Sequence, residues 1–251
     1  MTPTGSSSSG ADAPAGVAGT VLVVDDDTTV RDVVRRYLEL AGYTVTPVGT
    51  GREALQAHRE RPADLVVLDL MLPDLDGLEV CRRIRTGTEA SDVPVVMLTA
   101  LGEEENRIAG LQLGADDYVT KPFSPRELAL RVTSVLRRAG PHADAGGSAA
   151  VVTDGPLTLD PAARTATLRG TGLALTAREF DLLWFFLTHP GTAFSRQQLL
   201  ERVWGWDFGD QSTVTVHVRR LREKIERVPA EPARIATVWG VGYRYDAGLG
   251  S

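Results

Sequence analysis

Apolar and polar positions alternate in a regular order through the first half of the chain. Strand-like apolar runs stand at VLVVD (21–25), YTVTPV (43–48), LVVLD (65–69), PVVMLTA (94–100) and DYVTK (117–121). Between them, residues near 28–41, 51–60, 76–86, 103–113 and 124–138 repeat at helical spacing. Five such units predict an α/β fold, a parallel sheet with helices on both faces. Sheets of this kind hold their reactive site beyond the carboxyl ends of the strands.

The periodicity stops at AGPHADAGGSAA (139–150), whose composition suits a flexible linker. A different pattern follows. PLTLDPAARTATLRG and LALT (156–176) predict hairpins, then helices are expected at Ala177–His189, Arg196–Val203 and Thr213–Arg227. ARIATVWGVGYRYD (233–246) predicts a closing hairpin around a glycine turn. Thr176 and Glu179 have the spacing of a capping box, and His189-Pro-Gly ends the helix they begin. The expected layout is a tail (1–19), a first domain (20–138), a linker (139–150) and a smaller second domain (151–248).

Composition refines this picture at three points. Residues 1–20 are mostly Ser, Gly, Ala and Pro, so a disordered tail is expected there; it lacks the basic start and apolar stretch of a secretion signal. No apolar run approaches membrane-span length, and the single cysteine, Cys81, forbids an internal disulfide. A cytoplasmic protein is expected. Net charge is −6, divided unevenly: residues 151–251 carry 12 Lys/Arg against 11 Asp/Glu, and the remaining 15 and 22 leave −7. Five of those twelve basic residues fall within Arg219–Arg227, a local cluster more informative than the total.

The chemistry lies where strands end. Asp25 and Asp26 close the first run and Asp69 the third, so a parallel sheet would set three carboxylates side by side. Left bare they would raise one another's pKa, and a hard divalent cation such as Mg²⁺ removes that cost. Thr99 and Lys121 end the fourth and fifth strands and add a hydroxyl and an ammonium. Together these groups suit a phosphoryl group, with an Asp carboxylate as acceptor. Asp27 is expected to be either solvent-exposed or an N-cap.

VLVVDDD, DLVVLDLMLPDLDGLEVCRRIR, VPVVMLTALGEEE and GADDYVTKPFSPRELALRV resemble the receiver domain of a bacterial two-component response regulator. The resemblance implies a flavodoxin-like, doubly wound sheet of order 2-1-3-4-5. It implies Asp69 as phosphoacceptor, Mg²⁺ held by Asp25, Asp26, Asp69 and the Met71 carbonyl, Lys121 on the phosphate, and Thr99 and Tyr118 as switch residues. Tyr118 is expected to pass from an exposed to a buried rotamer as Thr99 moves inward. A cis peptide before Pro122 and a sensor histidine kinase as phosphodonor are also implied. Such a chain phosphorylates itself and slowly loses the group, rather than acting as an enzyme on other molecules. Active receivers of this kind pair through the fourth helix, fifth strand and fifth helix. The matching contacts here are Arg107–Glu127, Asp117–Arg131 and Asp116–Arg138 around Ile108, Leu111 and Leu130.

In the second half, Val214, Val218, Leu221 and Ile225 form one apolar stripe on TVTVHVRRLREKIER. Three helices and a hairpin compose a winged helix-turn-helix. LTAREFDLLWFFLTHPGTAFSRQQLLERVWG, TVTVHVRRLREKIE and TVWGVGYRYD resemble the DNA-binding domain of the OmpR/PhoB family. This implies Thr213, His217, Arg219, Arg220, Arg222 and Thr237 at DNA-facing positions, with double-stranded DNA as partner. Trp184, Phe185 and Phe186 are expected in the core. The chain departs from the family pattern at Ser212, Thr215 and Trp239; Trp239 is expected to pack either on DNA sugars or on the helix core. The aromatics of the loop 203–211 are expected either to touch RNA polymerase or to be core. The reading that results is a phosphorylation-dependent, dimerising transcription regulator; the alternative is a DNA-binding regulator that needs no phosphorylation and uses its receiver only to dimerise.

Overall fold

The computed structural model describes residues 19–86, 93–100, 102, 104–139, 150–205 and 210–248. The expected tail up to residue 18 and positions 140–149 of the expected linker lie outside these residues. Strands β1 (Thr20–Val24), β2 (Thr44–Val48), β3 (Leu65–Asp69), β4 (Val95–Ala100) and β5 (Asp117–Lys121) form one parallel sheet in the order β2-β1-β3-β4-β5. Between and after them run α1 (Thr28–Leu40), α2 (Gly51–Glu60), α3 (Gly77–Thr86), α4 (Glu104–Leu113) and α5 (Pro125–Ala139).

Successive strand side chains point to opposite faces, so both faces need apolar cover. Val21, Val23, Leu65, Val67, Val96 and Leu98 meet α1 and α5 on one side. Leu22, Val24, Val66, Leu68, Val95 and Met97 meet the other helices on the opposite side. Pro47 sits in β2, an edge strand, where a missing amide donor is tolerated. Cys81 is buried in α3, and burial pushes its thiol up to about 11, which leaves it an inert core residue. A Cβ on Gly77 would lie 2.2 Å from the Asp69 carbonyl oxygen, so only glycine lets α3 begin this close to the end of β3.

The second half begins with a four-stranded antiparallel sheet, β6 (Val152–Asp154), β7 (Leu157–Asp160), β8 (Thr165–Leu168) and β9 (Thr171–Gly172). Helix α6 (Ala177–Thr188) follows, opened by the capping box in which Thr176 accepts from the Glu179 amide and Glu179 accepts from the Thr176 amide. Next come β10 (Ala193–Ser195), α7 (Arg196–Leu199), α8 (Ser212–Ile225), β11 (Ile235–Val238) and β12 (Gly242–Tyr245). β10, β12 and β11 form a small antiparallel sheet, so the closing hairpin gains a third strand that three-residue AFS was too short to announce.

One helix differs from its sequence pattern. Arg196–Val203 was expected as a single α-helix, but after Leu199 the chain widens into a π-helical turn, Leu200–Trp204, closed by Gly205 at φ 88°. The wider turn rotates Trp204 inward, where its side chain is fully buried. The stripe Val214, Val218, Leu221 and Ile225 of α8 is buried, as its spacing predicts.

Candidate functional site

The carboxyl ends of β1, β3 and β5 bring together residues far apart in sequence. Asp25 and Asp26 follow β1, Asp69 ends β3, and one ligand oxygen from each lies within 4.8 Å of the others. Asp25 and Asp69 are buried, whereas Asp26 faces solvent. Lys121 Nζ, reaching across from β5, donates to Asp25 Oδ2 at 2.6 Å and to Asp69 Oδ2 at 2.7 Å. In the sheet register Asp69 is level with Leu98 and Ala100 with Lys121, and buried Thr99 lies near the end of β4, the strand that separates β3 from β5.

Local bonds hold this cluster in shape. Asp27 caps α1 by accepting from the Thr29 and Val30 amides and is also exposed, so both expected roles are met. Its own amide donates to Asp25 Oδ1 at 2.9 Å. The Met71 amide donates to Asp69 Oδ1 at 3.3 Å, which keeps Met71 beside the acids. Two supports were not foreseen: Arg31 donates to the Asp25 carbonyl, and Asp74 accepts from the Gly51 and Arg52 amides, fastening the loop after β3 to α2. The peptide between Lys121 and Pro122 is cis, as expected.

The electrostatics follow from burial. Loss of solvent raises the Asp69 carboxyl above the usual carboxylate range, against the pull of Lys121. Burial also works against the Lys121 charge, but its bonds to Asp25 and Asp69 outweigh that and lift its pKa above the ordinary lysine value. Three crowded carboxylates facing one fixed ammonium retain excess negative charge. Their oxygen donor set fits a hard divalent cation, with open positions left for water or phosphate oxygens.

The DNA-facing residues expected on α8 lie in a different setting. Thr213, His217 and Arg220 are buried, and α8 packs against α4 of the first domain. Arg220 Nη1 donates to the Leu111 carbonyl of α4 at 2.9 Å, and Arg220 Nη2 pairs with Glu179 at 2.8 Å. Val216 joins the apolar cluster that contains Leu111, Ala115 and Tyr118. Arg222 donates to the Ile235 carbonyl and, at 2.8 Å, to Thr237 Oγ1, so it braces helix to wing instead of pointing outward. Arg219 is exposed and pairs with Glu223. Trp239 is 90% exposed at the wing tip, which rules out packing on the helix core. Phe186 is fully buried, with Trp184 and Phe185 packed beside it.

Some of the residues expected to pair two receivers have partners within the chain. Within the one chain, Asp117 pairs with Arg131 at 2.9 Å, and Glu127 with the same arginine at 2.8 Å. Asp116 is fully buried and held by Arg85 of α3 at 3.0 Å, because it closes the turn into β5 against β4. Leu111 is buried and Leu130 is 57% exposed. The side chains of Arg107, Ile108 and Arg138 lie outside the described residues, as do Trp206 and Phe208 of the 203–211 loop. Tyr118, expected to move from exposed to buried, is already buried beneath the face that α8 covers.

Residues 21–133 match the response regulator receiver domain, and residues 170–245 match the carboxyl-terminal domain of transcriptional regulatory proteins. The chain is 44% identical over 233 residues to the transcriptional regulatory protein ResD of Bacillus subtilis, covering 91% of this chain and 96% of ResD. It is 43% identical over 230 residues to the phosphate regulon transcriptional regulatory protein PhoB of Pseudomonas aeruginosa, covering 91% and 98%. Among solved structures, a point mutant of RitR superposes with a TM-score of 0.69 at 25% identity, over 92% of this chain and all of that one.

Proposed function

This chain belongs to the OmpR/PhoB family of two-component response regulators, and we propose that Asp69 is the carboxylate through which it is controlled. It is a phosphorylation-dependent regulator of transcription, joining a receiver to a DNA-binding domain; DNA and a sensor kinase are its partners. We assign residues 20–138 to the receiver and 151–248 to the DNA-binding domain. No helix among the described residues is long and apolar enough to cross a membrane.

One observation carries the assignment of Asp69: Lys121 bonds at once to Asp69 and Asp25 across the ends of β5, β3 and β1. Asp69 attacks the phosphorus of a kinase phosphohistidine; an O–P bond forms, the N–P bond breaks, and the imidazole leaves to take up a proton. Lys121 shifts from the carboxylates to an incoming phosphoryl oxygen, and Thr99 offers its hydroxyl to another. Asp25, Asp26, Asp69 and the Met71 carbonyl are the candidate Mg²⁺ ligands. When bound, that ion supplies positive charge to the phosphoryl oxygens and relieves repulsion among the acids. The same residues support slow loss of the group to water.

For the DNA side, Thr213, His217, Arg219 and Arg220 are the candidate contacts of α8 once it is uncovered, with Thr237 and Arg222 setting the wing. Paired receivers would use Ile108, Leu111 and Leu130, with the surrounding charges exchanging partners. The 203–211 loop is the candidate RNA polymerase contact, from which burial removes Trp204. The deciding experiment is labelling with acetyl phosphate in Mg²⁺. Wild type should gain one base-labile acyl phosphate and Asp69→Asn none; label persisting in the variant would displace the acceptor to another residue.

A further inference from the structure

The second domain has a cavity of its own, about 480 Å³, between the β8–β9 hairpin and the segment that joins α8 to β11. That size lies within the range of small-ligand sites, about 300–1,000 Å³. Pro156, Leu168, Ile225 and Val228 give it an apolar lining, to which Arg169 and Arg227 add charge. Both arginines are exposed, and neither guanidinium has a partner among the described residues.

Arg169 is held there against its backbone preference. Leu168 and Thr171 pair in the ladder, so Arg169 and Gly170 form a two-residue turn, at φ 55° and 77°. Such a turn favours Asn, Asp or Gly at its first position, because other side chains strain a left-handed backbone. Arg164 shares the conformation at φ 52°, but its guanidinium is engaged. It donates to the Ala177 carbonyl at 3.1 Å and to Asp181 at 2.9 Å, and it lies over the Phe180 ring. Arg169 has no such compensation among the described residues. Strained backbone of this kind clusters at ligand sites.

The remaining charges of the cavity narrow what it can hold. Arg234 is paired with Asp154 at 3.0 Å. Glu226 accepts from the amides of Ala233, Arg234 and Ile235. Two guanidiniums and one carboxylate, that of Glu231, are left to face an occupant. One negative charge balances that set, and the apolar lining calls for a hydrocarbon body. We propose that the cavity binds a small organic monoanion, a carboxylate or sulfonate on an apolar body, with its charge met by Arg169 and Arg227. Bound there, it ties the β8–β9 turn to the joint between α8 and the wing.

Calorimetric titration of the full-length chain with naphthalene-1-sulfonate tests this, since a sulfonate cannot phosphorylate Asp69. One site should saturate. Neutral 1-naphthol, which lacks the charge, and methanesulfonate, which lacks the rings, should each bind at least about tenfold more weakly. Arg227→Gln and Arg169→Gly should each weaken naphthalene-1-sulfonate binding about tenfold. Glycine suits a φ of 55°, so Arg169→Gly should melt no lower than wild type while losing the ligand. No saturable binding, equal binding of 1-naphthol, or binding that survives in both variants would overturn the site. So would a lower melting temperature for Arg169→Gly, because the arginine would then be holding the turn.

Discussion

The Lys121 ammonium stands 2.7 Å from the Asp69 carboxylate, although 52 positions separate the two along the chain. In the proposed reading, this pairing holds the acceptor carboxylate and the ammonium that would bind the phosphoryl group in contact before that group arrives. Replacing Lys121 by Gln removes the fixed charge and should slow labelling of Asp69 by about a hundredfold. Single-turnover labelling at saturating acetyl phosphate measures this. An unchanged rate would mean that Lys121 only neutralises the acids.

Lys121 bridges Asp25 and Asp69, so the fold is expected to hold its acids together when the metal ion is removed. Chelation of divalent cations should stop labelling and leave the far-ultraviolet circular dichroism unchanged. Unfolding on chelation would make the ion structural.

His217 gives the chain a predictable response to acid. It is fully buried, its Nδ1 bonds to the Thr213 carbonyl at 2.8 Å, and the edge of Trp204 lies against it. Burial, with Arg220 nearby, lowers its pKa to about 4 from the ordinary 6.5. Between those values the unfolded chain binds more protons than the folded one. Stability is therefore fully present above about pH 6.5 and declines as pH falls toward 4, by at most about 3 kcal/mol. Thermal melts from pH 7.5 to 4.5 should show this slope, and in His217→Gln the slope should shrink. Equal slopes would assign the acid response to other groups.

Leu221 belongs to the buried stripe of α8 and is fully enclosed in the apolar core. Leu221→Ala should cost about 2–5 kcal/mol, read as a lower urea midpoint at constant m-value. A loss below about 0.5 kcal/mol would show that α8 is held mainly by its polar contacts.

Trp239 is the reverse case, large and almost wholly in solvent. Trp239→Ala should change stability by less than about 0.5 kcal/mol while lowering the affinity of phosphorylated protein for DNA. Unaltered affinity would remove the wing tip from the DNA interface.

Much was legible in the residues because it depends on spacing along one segment. The five alternations, the apolar stripe of α8 and the Thr176–Glu179 cap are local, and each appears where its period places it. The acid cluster was legible for a related reason: in a parallel sheet, residues ending neighbouring strands must meet, so Asp25, Asp69 and Lys121 needed only the correct strand order. The tertiary structure alone decided what covers α8. Trp204 and Asp116 are 88 positions apart, and Arg220 and Leu111 are 109 apart, each pair spanning the two matched domains. No periodicity relates such residues. An arginine on a helix has the same pattern whether it faces a phosphate or a carbonyl of its own chain; the choice is made by how two finished surfaces fit, which becomes visible only after each has folded.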